Sequence, residues 1–153
     1  MPIKRFDDPM QAGAPGQVES GEFNPANQRE EIDRVEQAVL ASLGRLGYPE
    51  ASRFAVRLAL EEALVNAFQH GHRGLPTTVP VNVKFEISKD QVIIHVTDQG
   101  PGFKPEAVPD PTSDVNIELP SGRGLMLIRA FMTTVTHDQD GRRVNMTYTQ
   151  PTE

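Results

Sequence analysis

Hydrophobic positions along this chain follow two spacings, and the switch between them divides it into helical and extended parts. From Asn27, the residues Ile32, Val35, Val39, Leu43 and Leu46 recur every three or four places, which predicts an amphipathic helix. Asn27 and Glu30 stand in capping-box spacing at its start, and Gly47, Tyr48 and Pro49 end it. A second helix is predicted from about Glu50 to His70, closing at Gly71; it is apolar around most of its circumference and therefore largely buried. After Pro80 the period falls to two. Val81, Val83, Phe85 and Ile87 alternate with polar residues, Lys89-Asp90 makes a turn, and Val92, Ile94 and Val96 come next, a half-buried antiparallel hairpin. Gly124 to Met132 reads as a short apolar helix. A last hairpin has Val135 and His137 before the turn Asp138-Gln139-Asp140-Gly141, and Val144, Met146 and Tyr148 after it. This order predicts a sheet with helices on one face.

Two stretches break the pattern. Residues 1–25 hold Pro2, Pro9, Pro15 and Pro25 and few branched apolar side chains, so they are expected to be a mobile extension, with an edge strand at residues 17–23 as its one ordered piece. Residues 26–150 then form the domain. Residues 99–121 contain five prolines, too many for regular structure, and a loop of that length suits a lid. A formal charge of −6 argues against anchorage on nucleic acid or anionic lipid, and the absence of cysteine excludes thiolate chemistry. No secretory signal and no run of the ~20 apolar residues needed to span a bilayer are present, which makes the cytoplasm the expected compartment.

Three clusters carry candidate chemistry. On the second helix Glu62, Asn66 and His70 fall at i, i+4 and i+8, on a stripe that also holds Ala55 and Ala59, so polar heads sit over small neighbours. Glu62 has the chemistry of a general base and Asn66 that of an oxygen ligand for Mg2+; the same two residues also suit a plain buried hydrogen bond. Glu61 points elsewhere, towards Arg53 and Arg57, where an Arg57–Glu61 surface pair is expected. His70 is placed at the rim of the pocket. The second cluster is Asp98-Gln99-Gly100-Pro101-Gly102 at a strand end: Asp98 can accept from an amino group such as that of adenine, and Gly100 and Gly102 allow the backbone to approach it. The third, Ser121-Gly122-Arg123-Gly124, opens a helix and exposes N–H groups to phosphate, with Arg123 in reach of a γ-phosphate. Its spacing is neither that of a P-loop nor of a dinucleotide fingerprint.

Taken in order, the stretches Leu58 to Ala67, Asp98 to Gly102 and Ser121 to Arg129 closely resemble the boxes of the GHKL ATPase superfamily. Within it they are most similar to the anti-sigma factor serine/threonine kinases of bacterial partner-switching systems, as is the segment Val108 to Thr112. The resemblance implies a Bergerat fold of the α/β class: a two-layer sandwich of a mixed, mainly antiparallel sheet with three helices on one face. It implies binding of ATP and Mg2+, transfer of phosphate to a STAS-domain anti-anti-sigma protein, binding of a sigma factor, and a homodimer such as many members form. Glu62 matches the catalytic glutamate, Asn66 the Mg2+ ligand, Asp98 the adenine aspartate, and Gly100, Gly102, Gly122 and Gly124 the lid and phosphate glycines. One departure is plain: where the family often has Thr after the last turn, Gly141 is followed here by Arg142 and Arg143.

A nucleotide-dependent switch that sequesters a partner without transfer is the competing reading, and Glu62 speaks against it because a pure binder needs no base. The ATP-binding piece of a histidine kinase is disfavoured by a first helix without histidine.

Overall fold

A computed structural model describes residues 17–101 and 128–150. Five strands, β1 (Val18–Phe23), β2 (Asn82–Ser88), β3 (Gln91–Thr97), β4 (Thr134–Asp138) and β5 (Arg143–Thr149), form one sheet in the order β1-β2-β3-β5-β4. All its described pairings are antiparallel. The end of the proline-rich stretch is thus built into the sheet as the edge strand β1. Glu19, 2% exposed, anchors it by accepting from the half-buried Arg45 at 2.8 Å, and losing that partner would leave a buried carboxylate uncompensated.

Helices α1 (Arg29–Arg45) and α2 (Glu50–Asn66) run antiparallel over one face. Their stripes Val35, Val39, Leu43, Val56, Leu60 and Leu64 meet Val83, Phe85, Ile87, Ile94, Val96 and Met146 from the sheet. Truncating one fully buried member such as Leu60 to alanine would cost about 2–5 kcal/mol, because a packed core closes only part of the void. A helical turn at residues 128–131 adds Ile128, 1% exposed, to the same layer.

Helix ends are set by local hydrogen bonding, and one differs from expectation. The cap of α1 is Gln28, with no side-chain bond, while Glu31 reaches back to the Ala26 N–H at 3.0 Å. Asn27 and Glu30 do not form the expected box, because the Asn27 N–H is held by the Thr77 carbonyl at 3.0 Å. At the other end Tyr48 N–H bonds the Leu43 carbonyl and Gly47 N–H the Gly44 carbonyl, with Gly47 at φ 81°. That pattern is a Schellman stop, which needs glycine at the left-handed position.

The second predicted helix does not run uninterrupted to His70. After Asn66 it widens into a π-helical turn, Ala67–Gly71, with His72 N–H bonded to the Ala67 carbonyl at 2.8 Å. An i→i+5 turn holds one residue more than an α turn and so re-aims the chain beyond it.

Candidate functional site

Glu62 and Asn66 lie one turn apart on α2 and are half-buried, beside Ala55, Ala59 and Ala63, which are buried. Burial first, and the Glu61 charge second, push the Glu62 carboxyl above its ordinary range. A base with raised proton affinity is a stronger proton acceptor. The Nδ2 atom of Asn66 and the Nε2 atom of His70 are buried without a hydrogen-bond partner. Polar atoms left bare in this way are open to water or to a ligand. Burial, and then the Arg73 charge, hold His70 below the usual histidine range. The π turn moves His70 off the straight line through Glu62 and Asn66 on which an unbroken helix would place it.

Asp98 directly follows β3 and is 8% exposed. Its Oδ1 accepts the Gly100 N–H at 2.8 Å, and its Oδ2 lies against Gly71. Burial raises its proton affinity, opposed by the Gly100 bond and by the charges of His72 and Arg142.

Two close approaches join this strand end to the helix. A Cβ on Gly71 would overlap the Asp98 carboxylate, and a Cβ on Gly100 would overlap the Gly71 carbonyl. Gly100 is therefore required by the contact with Gly71, a different demand from the approach to a ligand expected of it, and its φ is not left-handed. His72, 4% exposed, completes the junction: its Nε2 accepts the Gln99 N–H at 2.8 Å, and its ring stands edge-on to Phe68 at 5.7 Å. Sequence reasoning missed both Gly71 and His72 as parts of the site. The only signal was a polar triplet, His70-Gly71-His72, directly after the helix.

Glu61 departs from the surface pair expected with Arg57. It accepts from Arg29 of α1 at 2.9 and 3.1 Å, while Arg57 lies 3.4 Å from Glu36. Antiparallel packing puts the start of α1 beside the end of α2, so the pairing is tertiary. Gly102, Ser121, Gly122, Arg123, Gly124 and the expected lid lie outside the described residues.

Among the described residues, no helix is long and apolar enough to cross a membrane. Three relatives are serine-protein kinases RsbW from Staphylococcus aureus strains bovine RF122 / ET3-1, MSSA476 and JH9. Each is 29% identical over 98 residues, which cover 60% of this chain and 62% of the relative. The chain thus matches under two thirds of their length. The family model for the histidine kinase-like ATPase domain matches residues 25–148, from the end of β1 to β5. With its helix and strand motifs brought together at Gly71, the chain belongs to the histidine kinase-like ATPase family, whose membership implies ATP binding.

Proposed function

We propose that this protein is an ATP-dependent serine/threonine kinase that acts as an anti-sigma regulatory factor. Its substrate in this reading is a STAS-domain anti-anti-sigma protein, and a sigma factor is its second partner. The observation that carries the reading is the packing of Asp98 against Gly71, which joins the adenine end of a nucleotide site to the helix bearing Glu62 and Asn66. The kinase activity of the RsbW relatives supports it.

Asp98 holds the adenine amino group, and its burial excludes water that would compete for it. The bare buried Nδ2 of Asn66 can donate to a phosphate oxygen while its Oδ1 would hold Mg2+, and His70 lies at the rim of this site. Mg2+ would neutralise phosphate charge during transfer. Gly122, Gly124 and Arg123 are assigned to the phosphates, and Gly102 and Ser121 to the ends of the lid. Glu62 removes the proton of the acceptor hydroxyl as its oxygen bonds to the γ-phosphorus. The bond to the β,γ-bridging oxygen breaks, and ADP leaves.

The test is transfer of labelled γ-phosphate from Mg-ATP to a STAS-domain protein of the same genome, with Glu62→Gln as control. Wild-type transfer that the variant loses while still binding ATP is the expected result. Transfer unchanged in Glu62→Gln would discard the base, and ATP binding without any transfer by the wild type would favour the sequestering switch.

A further inference from the structure

We infer that Arg142 reads the nucleobase: its guanidinium donates to the adenine ring nitrogen that flanks the amino group held by Asp98. The inference rests on the reading of Asp98 as the adenine carboxylate and extends it to a second residue.

The sheet register places the two side by side. Val96 is paired with Val144 and Thr97 with Arg143, so the next rung joins Asp98 to Arg142, and it is closed by the Asp98 N–H to the Arg142 carbonyl at 2.9 Å. Residues directly opposed on an antiparallel pair project to the same face. Val96 and Val144, two places along, are both buried beneath the helices, so Asp98 and Arg142 share the face that carries α2. Proximity shows in the electrostatics too, since the Arg142 charge favours the ionised form of Asp98. The preceding turn fixes this placement: Gln139, Asp140 and Gly141 have φ of 53°, 59° and 84°, and Arg142 N–H bonds the Gln139 carbonyl at 3.2 Å.

The two arginines after that turn differ in what they hold. Arg143, opposite Thr97, grips Asp138 with both Nε and a terminal nitrogen. Arg142 has a buried Nε without a partner, and its terminal nitrogen lies 3.7 Å from Asp140, which is 83% exposed. Such a contact stabilises little. A carboxylate next to an uncommitted guanidinium offers an acceptor beside a donor. Adenine presents the complement, an amino group beside a ring nitrogen, whereas guanine places a carbonyl where Asp98 needs a donor.

The full chain would be titrated with ATP and with its N1-deaza and N7-deaza analogues, for the wild type, Arg142→Ala, Arg142→Gln and Arg143→Ala. Wild type should bind one deaza analogue about tenfold more weakly than ATP, the size of a lost charge-assisted hydrogen bond. That ratio should collapse towards one in both Arg142 variants and persist in Arg143→Ala. Because the ratio is read within each variant, a general loss of affinity does not imitate it, and Arg142→Gln serves should Arg142→Ala fold poorly. Equal wild-type affinity for all three nucleotides, or a ratio that survives in the Arg142 variants, overturns the inference while leaving ATP binding intact. A wild type that binds no ATP would instead overturn the reading of the site, and Arg142 with it.

Discussion

Glu36 is 3% exposed, and Arg29 and Arg57 each approach its carboxyl to 3.4 Å. Burial is the largest influence on it, followed by its hydrogen bond to Glu61 and the Glu61 charge. The two arginines, each more than half exposed, pull the other way without prevailing, and Glu36 titrates at about 7. In the unfolded chain the ordinary value is 4.5. Between these values the folded state holds a proton that the unfolded state has released, so stability is full below 4.5 and falls as pH rises towards 7. At ~1.4 kcal/mol per pH unit, that window of about 2.5 units costs about 3–4 kcal/mol. Glu61 does not cancel it: although burial opposes its ionisation, the bonds from Arg29 and Glu36 hold it below its ordinary range, and its own window lies under 4.5.

The perturbation is Glu36→Gln, which keeps the shape and a donor for Glu61 but has no proton to lose. Urea unfolding should find the variant about as stable as wild type near pH 4.5 and about 3–4 kcal/mol more stable near pH 8, with unchanged denaturant slope. Parallel stability curves would refute the reasoning. A variant weaker at high pH would also refute it, by showing that Glu36 is held as an ionised partner of the two arginines.

Other consequences concern the nucleotide site. Gly71→Ala should displace the Asp98 carboxylate and weaken ATP binding at least tenfold, whereas Gly74→Ala, at φ 84° with nothing within 4 Å, should cost about 1 kcal/mol of stability and leave binding alone; calorimetry distinguishes them, and equal binding by both variants would count against the junction. Glu61→Gln removes the charge that, after burial, raises Glu62, so the acid limb of the transfer rate should move to lower pH; an unmoved limb would detach Glu61 from the base. Asn66→Ala should weaken Mg-ATP binding more than metal-free ATP binding, and equal losses in the two titrations would remove Asn66 from the metal.

Most of the architecture was legible because it rests on periodicity. The stripe of Ile32, Val35, Val39 and Leu43 is buried as α1 requires, and Val83, Phe85, Ile87, Val92, Ile94 and Val96 all face the core of β2 and β3. Glu62 and Asn66 were legible as polar groups on an apolar helix, and Asp98 as a carboxylate at a strand end followed by two glycines. What escaped depends on which elements meet. The partner of Glu61 is Arg29, 32 residues away, and no local spacing reveals it. Glu31, and not Glu30, reaches back at the start of α1 because Thr77 has already taken the Asn27 N–H. The π turn leaves no mark in the pattern, since Ala67 and Phe68 are buried just as a continued α-helix would bury them.

That turn explains how the two halves of the site are coupled. Glu62 and Asn66 are fixed by α2, and Asp98 by the β3–β5 ladder, elements whose mutual distance is set by core packing. One additional residue in the turn carries Gly71 onto the Asp98 carboxylate and His72 onto the Gln99 N–H. Phe68, held in the core and edge-on to His72, prevents the ring from turning away. Asp98 and Asn66 are thereby joined through the five-residue turn Ala67–Gly71, and in the proposed reading this turn keeps the two ends of a bound nucleotide in register.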